Sequence, residues 1–211
     1  MKNVTPKDWN KCDTQVFWGE IAPCNHIVQI YENDEIILDS IEGFVVSGFK
    51  AGDSTIIIAT AEHLKALDTR LQKHNFNLDS LRRNHQFITR NAEEALAKFM
   101  VNGWPDESLF TQFVTEVVTL ARGHTKRKVR AYGEMVAILW GQGHSGATVQ
   151  LEHLWNKLCE TEAFCLFCAY PKTGFTDDIS NSIRHICSTH SQIMAGDTKS
   201  KNEVSYQAVV V

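Results

Sequence analysis

Glu134 is the residue whose setting most favours chemistry. Val129 to Tyr132 has the β-branched and aromatic character of a short strand, Gly133 permits a sharp exit, and Met135 begins a helix with Met135, Ile138 and Leu139 on one side. The carboxylate therefore stands where a strand hands over to a helix, and in open α/β sheets ligands collect at that edge. An acid so placed can orient a water or hold magnesium, as in nucleotide hydrolases. It can equally pair with Arg130 or a nearby amide, or fix a polar atom of a bound ligand. The residues alone leave all three open.

Cys165-x-x-Cys168 and Cys187-x-x-His190 carry donors that suit a tetrahedral zinc site. The first pair falls on an expected strand, however, where positions three apart point to opposite faces. Buried structural thiols are the simpler reading, with no metal and no cofactor expected. Cys187 and His190 share a helix face and form half a site at most. Cys24 and His26 lack an orienting partner for a catalytic dyad. His153 reads as a surface or interface residue, while His63 and His144 fall near expected strand-end loops. Neither a Gly-x-Ser-x-Gly elbow nor a His-Glu-x-x-His helix is present.

The elements that must position these groups alternate between strand and helix. The 211 residues suit one domain with a sizeable core. His26 to Tyr31 alternates as a strand; Asn33 caps a helix with Asp34 and Glu35 in its first turn, an apolar stripe of Ile37, Ile41, Phe44 and Val45, and Gly48 as its stop. Ile56-Ile57-Ile58-Ala59 suits a strand buried on both faces, and Thr60 caps a helix carrying Leu64, Leu67 and Leu71. Residues 75–86 read as an irregular polar connection. Phe87-Ile88-Thr89 is a strand, Asn91 caps a helix, and 102–105 breaks the pattern before a helix over 106–122 with Phe110, Phe113, Val117 and Leu120 inward. Glycines at 141, 143 and 146 interrupt the helix after Glu134; it resumes with Ala147, Leu151, Leu154, Trp155 and Leu158. Phe164 to Tyr170 is a further buried strand, 179–194 a last helix, and the residues from 195 a mobile polar tail to which 209–211 could add a strand.

This pattern predicts an α/β domain with a mainly parallel sheet. A net charge of −4 argues against a general nucleic-acid binder. The basic run Lys126-Arg127-Lys128, with Arg122 and Arg130 nearby, reads as a solvated turn. Without an apolar leader or a membrane-length apolar run, a cytoplasmic protein with six reduced cysteines is expected.

Gly48-x-x-x-Gly52-Asp53-Ser54 leading into the isoleucine strand looks like the approach to a phosphate loop in RecA/KaiC-class ATPases. A Gly-rich turn ending in Gly-Lys-Ser/Thr should follow, so that amides and the lysine cradle phosphate. The chain instead reads Ala61-Glu62-His63-Leu64-Lys65, which lacks the glycines and puts an acid where phosphate needs positive potential.

Further stretches extend the likeness: Phe17-Trp18-Gly19-Glu20-Ile21-Ala22-Pro23, the strand ending at Tyr31, and Phe99 through Gly103-Trp104-Pro105. Arg130-Ala131-Tyr132-Gly133-Glu134-Met135, Leu151-Glu152-His153-Leu154-Trp155 and Phe167-Cys168-Ala169-Tyr170-Pro171 complete the set. Together they resemble the MEDS family, the sensory domain of the dichloromethane-responsive repressor and of bacterial and archaeal signalling proteins including histidine kinases. The resemblance implies a RecA/KaiC-like three-layer fold with a degenerate phosphate loop, and a ligand-sensing module that responds to hydrocarbon derivatives. It divides the chain into an N-terminal extension over 1–16, a sensory domain over 17–194 and a flexible polar tail over 195–211.

The expectation is a non-enzymatic sensory or regulatory domain. It binds a small, partly apolar ligand at the carboxyl edge of the sheet, lined by Tyr31, Thr60, His63, Glu134, Trp140 and Tyr170. Since neither a kinase core nor a helix-turn-helix follows residue 194, output passes to a partner in trans, a histidine kinase or regulator. No direct nucleic-acid or membrane contact is expected, and a homo-oligomer stays open. The competing reading is a divergent nucleotide-binding protein or NTPase using Glu134.

Overall fold

A computed structural model describes residues 9–13, 18, 25–172, 190, 192–195 and 203–207. Its strands are β1 (Trp9–Asp13), β2 (His26–Tyr31), β3 (Ser54–Ala59), β4 (Phe87–Asn91), β5 (Met100–Val101), β6 (Trp104–Pro105), β7 (Val129–Gly133), β8 (Cys165–Pro171), β9 (Gln192–Ala195) and β10 (Glu203–Gln207). The helices are α1 (Asp34–Ala51), α2 (Ala61–Leu71), α3 (Leu78–Arg83), α4 (Ala92–Leu96), α5 (Glu107–Arg122), α6 (Met135–Gly141) and α7 (Ser145–Glu162).

The main sheet runs in the order β1-β10-β9-β2-β8-β7-β3-β4. From β9 to β4 every neighbouring pair is parallel, while β10 pairs antiparallel with both β1 and β9. Parallel strands need helical crossovers on both faces, and the near-continuous apolar runs of β3 and β8 follow from that double cover. Alternate residues accordingly feed two cores. Ile27, Tyr31, Ile57, Tyr132 and Phe167 face α1, α2 and α3; Val28, Ile56, Ile58, Ala131, Cys168 and Tyr170 face α4 to α7. The result is the expected three-layer α/β fold with a mainly parallel sheet.

Local chemistry sets the helix starts. Asn33 Oδ1 accepts from Ile36 N at 3.1 Å, Thr60 Oγ1 from His63 N at 3.3 Å, and Asn91 Oδ1 from Glu94 N at 2.9 Å. Several expectations are corrected. Helix α1 does not stop at Gly48; it continues to Ala51 and ends at Gly52, whose φ of 77° suits glycine. Gly48 serves close packing, since a Cβ there would lie 2.8 Å from Thr55 Cγ2 on β3. Within 75–86, α3 forms behind an Asn77 cap. The break at 102–105 is the turn and second strand of a β5–β6 hairpin, with Asn102 and Gly103 at φ of 51° and 81°. Leu120 is exposed rather than inward.

Near the end of the chain, 192–194 belongs to strand β9, not to a helix, because it adds to the open edge of β2. Part of the stretch read as a flexible tail is strand β10, where Val204 and Tyr206 alternate with polar residues. The other residues of the expected helix, apart from His190, and the 209–211 strand lie outside the described residues. Among the described residues, no helix is long and apolar enough to cross a membrane.

The basic run is largely committed to structure. Arg127 donates to Ser54 Oγ at 2.7 Å and to the carbonyls of Asn84 and Ala121 at 2.8 and 3.0 Å. Arg122 pairs with Glu162 and buried Arg130 with Asp53, each at 2.7 Å. Only Lys126 and Lys128 of this group are exposed, too few for a phosphate-binding stripe.

Candidate functional site

The parallel strands β2, β3, β7 and β8 end on one edge of the sheet, and the residues just beyond them converge. Glu134 N donates to Ile58 O at 2.9 Å, carrying the β7–β3 ladder one residue past the strand. That bond turns the Glu134 side chain, 3% exposed, across the start of α2. Its Oε2 accepts from Thr60 N at 2.8 Å. Its Oε1 accepts from Tyr132 Oη at 2.9 Å and meets His63 Nδ1 at 2.5 Å. Arg130, the other partner offered by the sequence, goes instead to Asp53 and to Trp18 O, each at 2.7 Å.

The physical sense of this arrangement follows from the helix terminus. The first N–H groups of a helix lack internal partners and present positive potential. At α2 they meet Thr60 Oγ1 and the Glu134 carboxylate, so an anion belonging to the chain occupies the place an external phosphate would need. The β3–α2 turn, Ala59-Thr60-Ala61, contains no glycine to bring further backbone amides to a phosphate.

His63 links this buried acid to solvent. Its Nε2 lies 3.6 Å from Asp34 Oδ1, and the two side chains are 13% and 74% exposed. The hydrogen bond with Glu134 raises the His63 pKa above its usual value, burial opposing and the two acids reinforcing it. Tyr132 is raised well above the ordinary phenol range by burial first and Glu134 second, and Tyr31 is raised by burial, Glu134 and Asp34. Both phenols stay protonated and can donate. The cluster is a graded polar series: buried phenol and carboxylate inside, imidazole at the boundary, exposed carboxylate outside.

Of the six residues expected to line one pocket, Tyr31, Thr60, His63 and Glu134 gather on the α1–α2 side. Trp140 and Tyr170 are buried on the opposite face, their rings 6.3 Å apart and perpendicular. The sheet separates the two groups because Tyr31 and Tyr170 have opposite parity on their strands. Tyr132 and Asp34 are the members that residue-by-residue reading missed. Tyr132 could have been found from its place two residues before Glu134, and Asp34 from its place in the first turn after Tyr31.

An open depression of about 650 Å3 lies further out, lined by Glu35, Glu42, Glu62, Lys65, Arg70 and Lys73. Arg70 bonds Glu35, Asp39 and Glu42 across it. Charged walls of both signs suit solvent better than a partly apolar molecule.

On the opposite face Tyr170 Oη donates to Glu152 Oε1, and Glu152 lies among His26, Cys168 and His190. Burial first and His190 second bring the His26 pKa down to about 3, so this imidazole is neutral. Burial alone would raise Glu152, but His190, His26 and Tyr170 outweigh it and bring it to about 2. Burial pushes the Cys168 thiol up.

The KaiC-like protein PH0186 from Pyrococcus horikoshii OT3 superposes with a TM-score of 0.56 at 9% identity, covering 86% of this chain and 77% of that one. The flagellar accessory protein FlaH from Methanocaldococcus jannaschii does so with a TM-score of 0.53 at 8% identity, covering 92% and 82%. Both show the shared KaiC-like, RecA-type fold and, at such identities, the fold alone. No curated protein matches the sequence significantly. The family model for the MEthanogen/methylotroph, DcmR Sensory domain matches residues 25–191. That span holds β2 through β8 and every member of the Glu134 cluster, and the chain belongs to the MEDS family of sensory domains.

Proposed function

We propose that this chain senses a small, partly apolar molecule at the carboxyl edge of its sheet and passes the signal on by protein contact. The observation that carries the reading is the Glu134 carboxylate seated on the start of α2. With the anion site filled from within, the group that faces an incoming ligand is His63, whose Nε2 lies 3.6 Å from the exposed Asp34. A ligand bearing a hydroxyl, carbonyl or halogen bonds there and lays its apolar part toward Tyr31. Such pockets combine apolar walls with a few placed polar groups.

The signal leaves through α6, which begins at the residue after Glu134. Its connection to α7 is three residues long and contains Gly143 at a φ of 79°. A ligand that favours one setting of Glu134 over another shifts this joint and the face α7 presents to a histidine kinase or regulator.

Thermal-shift titration tests the reading. A small halogenated or hydroxylated hydrocarbon should raise the melting temperature with concentration, by about 2.7 kcal/mol of stabilisation at a hundredfold excess over Kd. The shift should disappear in His63→Ala, and amide exchange across 141–146 should change on binding. Stabilisation by ATP with magnesium, with turnover lost in Glu134→Gln, would replace this reading by the nucleotide hydrolase.

A further inference from the structure

We propose that His26, Glu152, Cys168 and His190 form a closed, four-coordinate site for a divalent cation of the zinc class, on the sheet face opposite Glu134. The donors come from four places: the first residue of β2, the middle of α7, the middle of β8 and the approach to β9. One ligand atom from each lies within 4.8 Å of every other. His26 Nε2 is 3.3 Å from Cys168 Sγ and 3.4 Å from Glu152 Oε2, and His190 Nε2 is 3.4 Å from the same oxygen. Tetrahedral zinc with Zn–N and Zn–O near 2.1 Å and Zn–S near 2.3 Å requires edges of about 3.4 Å between nitrogen and oxygen and about 3.6 Å between nitrogen and sulfur. The two histidine-to-Glu152 separations match the first of these edges, and the His26–Cys168 separation is about 0.3 Å shorter than the second.

The surrounding contacts are those a metal site uses to orient its ligands. Asn156, one turn beyond Glu152 on α7, places Oδ1 at 2.5 Å from His26 Nδ1. That oxygen can only accept, so Nδ1 carries the proton and Nε2 turns its lone pair inward. Tyr170 Oη holds Glu152 Oε1, which leaves Oε2 facing the other donors. Charge also balances: a dication with one carboxylate, one thiolate and two neutral imidazoles sums to zero, as a dry site demands. All four residues are at most 3% exposed, so the site has no open position and its role is structural. As strand parity predicts, the two thiols of Cys-x-x-Cys part: Cys168 faces this cluster and Cys165 the other core.

Elemental analysis and native mass spectrometry of the untagged 211-residue chain, purified from zinc-supplemented medium, should give one bound ion per chain that survives dialysis. Replacement by cobalt should produce tetrahedral d–d bands and a thiolate-to-metal charge-transfer band. Cys168→Ser should abolish the charge-transfer band, and Cys165→Ser should retain it. Asn156→Ala should weaken metal affinity about 10–100-fold. A folded wild-type chain that takes up neither zinc nor cobalt overturns the proposal, as does a cobalt spectrum without thiolate character or one unchanged by Cys168→Ser. If Cys168→Ser fails to fold, the wild-type spectrum and the Asn156→Ala affinity still decide.

Discussion

Glu134 and Glu152 are both buried acids, 3% and 1% exposed, and they lie on opposite faces of one sheet. The partners around Glu134 are a backbone N–H, a phenol and an imidazole bearing its proton toward the acid. Hydrogen bonds of this kind neutralise an anion without any external charge. Around Glu152 one oxygen has a phenol, while the other faces two imidazole nitrogens and a thiol. A zinc-class cation among these atoms, as proposed above, takes the place that hydrogen-bond donors fill around Glu134. The identity of the atoms turned toward a buried carboxylate therefore separates a finished hydrogen-bond cluster from a metal site, even where burial is alike.

Four measurements test whether the two acids differ in this way. The largest effect is expected for Glu152→Gln, which removes the charge from the fully enclosed cluster and should cost about 3–5 kcal/mol in urea denaturation. Glu134→Gln keeps an acceptor for Thr60 N and Tyr132 and loses the charged partner of His63, for a cost of about 1.5–3 kcal/mol. If Glu134→Gln proved the more damaging of the two, the contrast would be inverted. Thr60→Ala removes one cap from α2 and should cost about 1 kcal/mol, with the Glu134 bond to the backbone retained.

The smallest effect is in pH. His63 has a raised pKa in the folded chain, so its contribution is complete below the unfolded histidine value of about 6.5 and is lost as pH rises through the folded value. Stability curves of wild type and His63→Gln should converge on the alkaline side and separate on the acid side. Parallel curves would mean that Glu134 gives His63 no preference for its charged form.

Much of the scaffold was legible because its signals are local. Asn33, Thr60 and Asn91 announce their helices through short polar side chains, and the isoleucine run of β3 announces a doubly covered strand. Glu134 was legible as a strand-end acid, though its partners were not. Arg130, close in sequence, lost to Tyr132, Thr60 and His63, which the parallel register of β3 and β7 brings alongside. Trp140 and Tyr170 were grouped with Tyr31 because strand ends were read without face parity. The Glu152 cluster was hidden for a related reason. His26 and Cys168 are 142 residues apart and meet only once β2 and β8 pair, and Glu152 reads as an ordinary helical acid until α7 is laid over them. Strands β9 and β10 escaped because runs of only four and five residues carry weak patterns.

Gly48 has a consequence beyond packing. A Cβ there would come within 2.8 Å of β3, and Asp34 stands 14 residues away at the other end of the same helix. At 1.5 Å per residue that is a lever arm of about 21 Å. Any tilt of α1 about this contact is therefore amplified at Asp34, by about 0.4 Å per degree. The missing side chain at the foot of α1 thus bears on the spacing between Asp34 and His63 at the far end of the helix.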